Sequence, residues 1–212
     1  MDGVVVYPTD TIYGIGCLAT DKNAIKKIFK IKQRGKQKGM IILVDSIKMA
    51  KKYCEISKEQ EKILEEVWLL TKPRPSPLLS KERGKLPLPF LTKGEAVTLI
   101  LKSRGILPKE LSGGKKTLAV RLPKNDFLIK LIKKAGAPIV STSLNLSGEK
   151  PLKNVKDLEK TLHVNLYFGS IRNKKIGNFK KKIDLVIDAG TVKGRPSRVA
   201  DIRDVEKIKI IR

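Results

Sequence analysis

Cysteine and histidine are almost missing from this chain: Cys17 and Cys54 are its two cysteines and His163 its one histidine among 212 residues. Two cysteines outside a Cys-x-x-Cys spacing supply no disulfide framework, so both are expected to be reduced and structural. One histidine excludes a multi-histidine metal site and leaves His-dependent nucleophile chemistry to a single side chain. Catalysis is therefore expected to use other groups, with no protein metal site. Long apolar runs are lacking too. The longest, 3–7, 40–44 and 97–101, are strand-sized and far short of the roughly 20 residues of a membrane helix, so no membrane span is expected. The first residues lack a basic stretch, a long apolar stretch and a cleavage site, which points to the cytoplasm. Acidic residues are scarce: 21 against 46 Lys plus Arg, a formal net charge of +25. Such an imbalance is an argument about polyanionic partners, not about fold. It also fits a lysine-rich composition of genomic or thermal origin. The run at 172–182, with Arg172, Lys174, Lys175, Lys180, Lys181, Lys182 and no acid, favours a phosphate-tracking role.

What is present reads as one domain over 1–212. Asp21 can cap a helix to about Lys32, because Ala24, Ile25, Ile28 and Phe29 share one face and lysines the other. Ser57 and Gln60 form a capping-box pair ahead of Ile63, Leu64 and Val67. Further helices are expected at 126–135 and 155–162, and strands at 3–7, 40–44, 97–101, 117–122, 138–142 and 183–187. This alternation predicts an α/β or α+β domain with a mixed sheet. Between 71 and 95 the periodicity vanishes and Pro73, Pro75, Pro77, Pro87 and Pro89 appear. That stretch reads as an exposed loop, a tolerated insertion in preference to a functional one.

Three segments could carry chemistry. Tyr7-Pro8-Thr9-Asp10-Thr11-Ile12-Tyr13-Gly14-Ile15-Gly16 follows the first strand as a polar turn. Hydroxyls of Thr9, Thr11 and Tyr13 at alternating positions can face one cleft; a hairpin-type loop with ordinary hydrogen-bonded threonines fits as well. Its Gly14-x-Gly16-x-x-Ala19 spacing is not a dinucleotide fingerprint, which needs the tight turn directly after the strand. Lys32-Gln33-Arg34, with Lys36 and Lys38, stands at a helix carboxyl end, where cations either complement the dipole or clamp an anion. Ser141-Thr142-Ser143-Leu144-Asn145-Leu146-Ser147-Gly148 follows an apolar strand, as an anion cradle or as a polar turn. Ser112-Gly113-Gly114-Lys115-Lys116 fails the P-loop rule, since Lys109 stands at its first glycine and Lys116 at its Ser/Thr, and reads as a turn. Arg121 lies among apolar neighbours on its strand and calls for an anionic partner. Arg195-Pro196-Ser197 adds a cation beside a hydroxyl.

Pro8-Thr9-Asp10-Thr11-Ile12-Tyr13-Gly14, Lys32-x-Arg34, Ala119-Val120-Arg121-Leu122-Pro123 and 141–148, in this order, resemble the YrdC-like threonylcarbamoyl-AMP synthase family over nearly the whole chain. The resemblance implies a twisted mixed α/β sheet with flanking helices around a large basic concave cavity, where the Lys-x-Arg and Ser-x-Asn motifs face each other. It implies L-threonine, bicarbonate and ATP as substrates. Thr9, Thr11, Tyr13, Arg121 and Ser141 would take threonine. Lys32, Arg34, Thr117, Ser143, Asn145, Arg195 and Ser197 would hold ATP, with Lys32, Arg34, Ser143 and Asn145 carrying catalysis. Mg2+ would travel with the nucleotide. The implied partners are tRNA or double-stranded RNA and a downstream threonylcarbamoyl transferase; a non-catalytic RNA-binding protein is the alternative. The chain departs from the pattern at Gly35, at Gly39-Met40, at Ser197-Arg198 and where the Pro-rich stretch parts Trp68 from Val97. The glycines are expected to loosen the loop after Arg34.

Overall fold

A computed structural model of the chain describes residues 3–35, 37–69, 95–156, 158 and 183–211. Lys36, residues 71–94 of the Pro-rich stretch, His163, the basic run 172–182 and most of the helix expected at 155–162 lie outside the described residues.

Among the described residues ten strands form one mixed sheet: β1 (Val5–Tyr7), β2 (Gly14–Gly16), β3 (Ile41–Leu43), β4 (Cys54–Glu55), β5 (Val97–Ser103), β6 (Thr117–Arg121), β7 (Ile139–Ser143), β8 (Leu185–Val186), β9 (Arg198–Asp201) and β10 (Lys209–Ile210). Their order is β10-β9-β5-β6-β3-β7-β2-β1-β8, with β4 added to β5. The pairs β3/β6, β5/β9 and β1/β8 are parallel and the others antiparallel. The expected mixed sheet is therefore present. Residues 7–16, read from sequence as a turn, close into a hairpin in which Tyr7 opposes Gly14 and Val5 opposes Gly16.

Among the described residues four helices accompany the sheet: α1 (Lys22–Ile31), α2 (Ile47–Tyr53), α3 (Lys58–Leu69) and α4 (Asp126–Ala135). Their starts follow from capping. The Asp21 carboxylate accepts from Ala24 N at 2.8 Å. Ser57 and Gln60 cap α3 reciprocally, at 3.2 and 2.9 Å, and so satisfy two otherwise unpaired amides. The Asn125 side chain caps α4. On α1 the buried Ile25 and Ile28 have 0% exposure, each stabilising the fold by about 1.5–3 kcal/mol. Replacing Ile28 with Asp would break that face.

The end of α1 matters for the site. Arg34 N reaches Phe29 O and Gln33 N reaches Lys30 O, a Schellman closure in which Gln33 takes φ 48°. Chain reversal here separates the Lys32 and Arg34 side chains. Beyond it, a Cβ at Gly39 would lie 2.7 Å from Leu111 O. Glycine at this departure from the family pattern thus permits a close approach of the 109–112 turn, whose buried Leu111 accepts from Met40 N at 2.8 Å. The glycine tightens the loop at this point instead of loosening it. The segment 112–116 forms the expected turn, with Gly113 in the left-handed region at φ 62°.

Candidate active site

The ends of β1, β2, β6 and β7 converge with the turn after α1 on a cavity of about 300 Å³, at the small end of small-molecule sites. Thr9, Thr11, Tyr13, Arg34, Arg121, Ser141, Ser143, Asn145 and Ser197 line it. Three segments distant in sequence thereby share one hollow. Lys32 does not line this cavity but stands directly behind its wall, 1% exposed. Two other expected ATP residues are elsewhere. Thr117 begins β6 opposite Lys102, four residues from Arg121 and so about 13 Å along the strand; Arg195 is exposed.

Lys32 holds the loop after β7. Its ammonium donates to Ser143 O, to Asn145 O at 2.8 Å and to Asn145 Oδ1 at 2.7 Å. Lys32 O also accepts from Ser147 N at 2.9 Å. Burial first, and the Arg34 cation second, push the Lys32 pKa down to about 7. The three surrounding oxygens act the other way, because only the protonated amine has a donor for each. Asn145 is fixed in turn: Oδ1 also accepts from Ser143 Oγ at 2.7 Å, and Nδ2 donates to Glu149 O at 2.5 Å. A cation and a hydroxyl on the same oxygen settle which way the amide faces.

Arg34 is pinned by its own loop. Nε donates to Lys38 O at 2.9 Å and one terminal nitrogen to Gly39 O at 2.6 Å. Burial holds its pKa below the ordinary arginine value, yet arginine remains charged in proteins. Three of its five N–H groups stay available for an anion.

Arg121, which lines the same cavity, is buried, 5% exposed. It donates to Thr11 Oγ1 at 3.0 Å and forms an ion pair with Asp10. The anionic partner that its surroundings called for is therefore intramolecular. Asp10 was legible in the Pro-Thr-Asp-Thr string but had no role assigned from sequence. The Thr9 hydroxyl accepts from Thr11 N and Ile12 N and donates to Ile12 O at 2.7 Å, so its proton serves the loop. Tyr13 lines the cavity, but its hydroxyl accepts from Ala189 N at 2.8 Å and donates to Gly190 O at 2.9 Å. It fastens the strap 188–197 across the site. There Gly194 lies so close that a Cβ would meet Thr11 O at 1.8 Å. The strap supplies Pro196 and Ser197, whose hydroxyl bonds the buried Thr98 hydroxyl at 2.8 Å. Sequence reasoning also missed Glu149 and Pro151 on the wall; the Gly148 that ends the third motif was their signal.

Cys17 and Cys54 are buried free thiols with pKa values raised to about 12 by burial, which leaves them protonated and inert.

A family model, Sua5_yciO_yrdC, described as telomere recombination, matches residues 1–212. The chain belongs to this family. Within the Sua5/YciO/YrdC family, the threonylcarbamoyl-AMP synthase of Hydrogenovibrio crunogenus is 30% identical over 156 residues, covering 73% of this chain and 72% of that protein. The threonylcarbamoyl-AMP synthase of Pyrococcus abyssi is 28% identical over 203 residues, 95% of this chain and 47% of its own length. Among solved structures, P. abyssi Sua5 complexed with L-threonine matches with a TM-score of 0.70 and 25% identity, over 99% of this chain and 50% of that one. Escherichia coli YciO shares the fold, with a TM-score of 0.68 and 23% identity over 99% and 82% of the two chains. The chain thus spans about half the length of the Pyrococcus proteins. Among the described residues no helix is long and apolar enough to cross a membrane.

Proposed function

We propose that this chain, as one domain with an insertion at 71–95, makes threonylcarbamoyl-AMP and pyrophosphate from L-threonine, bicarbonate and ATP. The product would serve threonylcarbamoyladenosine formation in tRNA. The observation that carries the reading is the shared hollow, which Arg34, Ser143 and Asn145 line together with Arg121, Thr11 and Ser141.

The reaction asks for alignment of anions more than for a protein nucleophile. The threonine amine attacks bicarbonate carbon to give a carbamate and water. A carbamate oxygen then attacks the α-phosphorus, and the bond to the β-phosphate oxygen breaks as pyrophosphate leaves. Arg34 supplies free guanidinium donors for phosphate oxygens, and the 143–145 loop supplies a hydroxyl and an amide. Arg121 takes the threonine carboxylate, with Thr9, Thr11, Tyr13 and Ser141 shaping its pocket. Lys32 acts through the loop that it holds, and its charge adds to the field on the phosphates. Ser197 belongs to the ATP side, and Arg195 could reach the nucleotide from the strap. Thr117 would contribute only through β6. Proximity of this kind supplies much of a barrier reduction.

Among the described residues no set of three or more His, Cys, Asp or Glu could hold a metal. A divalent cation would therefore take most of its oxygens from the triphosphate and water. Bound there, Mg2+ would neutralise phosphate charge. Cytoplasmic tRNA, attracted by the +25 charge, and a transferase that consumes the adenylate are the proposed partners.

Pyrophosphate release measured with each substrate omitted in turn tests the proposal. Release should need threonine and bicarbonate together. A purified protein that binds tRNA but never releases pyrophosphate would favour the non-catalytic RNA-binding reading.

A further inference from the structure

Arg121 is held from one side by two consecutive residues of the 8–13 loop. Thr11 Oγ1 takes one terminal nitrogen and the Asp10 carboxylate the other. The second Asp10 oxygen accepts from Lys124 N at 3.1 Å, which ties the chain beyond β6 to the same loop. The Asp10 and Arg121 side chains are 11% and 6% exposed. Arg121 lines the cavity, whereas Asp10 does not. Thr9 fixes the loop in turn through its bonds to Thr11 N, Ile12 N and Ile12 O.

Burial lowers the Arg121 pKa and Asp10 opposes that shift, so the acid both balances the guanidinium and sets its plane. A carboxylate approaching from the cavity meets a cation whose orientation was fixed before binding. That saves the ordering cost a free arginine would incur on binding. The pair also lowers the net charge at this end, so small free anions gain less there than a ligand that fits the geometry.

We propose that Asp10 is a positioning residue which acts through Arg121 to select and orient the carboxylate of the amino-acid substrate. The proposal rests on the synthase reading for the identity of that carboxylate ligand. Asp10 touches no substrate itself.

The experiment measures threonine binding by calorimetry, and separate KM values for threonine and ATP, in wild type, Asp10→Asn, Arg121→Gln and the double variant. Asp10→Asn should weaken threonine binding about 10-fold or more while the KM for ATP moves less than about twofold. In the Arg121→Gln background the same change should add less than about a further twofold, because the group it positions is gone. Asp10→Asn leaves a buried cation unpaired and can prevent folding. The double variant removes both charges and keeps the comparison with Arg121→Gln open. Equal loss of threonine and ATP affinity in Asp10→Asn overturns the proposal, as does an undiminished effect of Asp10→Asn on the Arg121→Gln background. Wild-type protein that binds threonine with this pattern but gives no pyrophosphate supports it and overturns the synthase reading alone. Wild type that binds no threonine overturns both.

Discussion

Lys32 and Asn145, more than a hundred residues apart, meet twice: the ammonium donates to Asn145 Oδ1 at 2.7 Å and to Asn145 O at 2.8 Å. Lys32→Met keeps much of the side-chain volume and removes these donors. It leaves buried acceptors in the 143–145 loop unpaired, at about 1–3 kcal/mol each. Turnover should fall at least about tenfold, with the KM for ATP raised. Unaltered kinetics in the folded variant would show that the loop needs no such anchor.

The same lysine gives a pH signature with opposite signs for stability and activity. Its folded pKa is lowered to about 7, while an unfolded chain keeps the proton to about 10.4. Between those values the unfolded state binds more protons, so this group makes the free energy of unfolding rise with pH. The cost of the buried charge is fully present below about 7. Over the same window the amine loses one of three donors and the loop one anchor, so activity should decline. Denaturant titrations from pH 6 to about 10 should therefore show wild type gaining stability relative to Lys32→Met; parallel profiles would refute the linkage.

Arg34→Ala tests the cation that lines the cavity. Arg34 keeps free guanidinium donors beside Ser143 and Asn145. Charge-assisted bonds contribute about 1.5–3 kcal/mol each. The variant should lose about 10- to 100-fold in kcat/KM for ATP, with a smaller effect on the KM for threonine. Unchanged turnover would remove Arg34 from the site.

Tyr13→Phe separates a substrate contact from a structural tie. Its hydroxyl holds Ala189 and Gly190 in the strap that carries Pro196 and Ser197 into the cavity. Loss of that tie should lower stability by about 1–2 kcal/mol, roughly 2–8 °C in Tm for a chain of this size. The KM values for both substrates should rise together. A rise for threonine alone, with Tm unchanged, would mean that the hydroxyl reaches the ligand instead.

Gln33→Gly addresses the turn that parts Lys32 from Arg34. Gln33 adopts φ 48°, which costs a residue with a Cβ about 1–2 kcal/mol. Glycine removes that strain but gains freedom in the unfolded chain. A net stabilisation of about 0.5 kcal/mol is expected in a urea titration, and a destabilised variant would argue against the left-handed geometry.

How much was legible from sequence varied by element. Asp21, the Ser57 and Gln60 pair, and the residues 126–135 announced their helices because capping and periodicity are local. The short strands β2, β4, β9 and β10 and the helix α2 were missed. Each spans two to seven residues and owes its conformation to partners such as β7, β5 and β9, not to its own pattern. The Ser46 cap, which accepts from Met49 N at 3.1 Å, was a usable sign of α2.

By itself, the chain of residues determined the mixed α/β class, the reduced thiols and the three polar segments, because hydrophobic period, capping and side-chain chemistry act over a few neighbours. The tertiary structure decided who meets whom. It set Lys32 behind the wall, turned Tyr13 toward the strap and gave Arg121 its acid in Asp10, since burial and pairing across 111 positions depend on the assembled sheet.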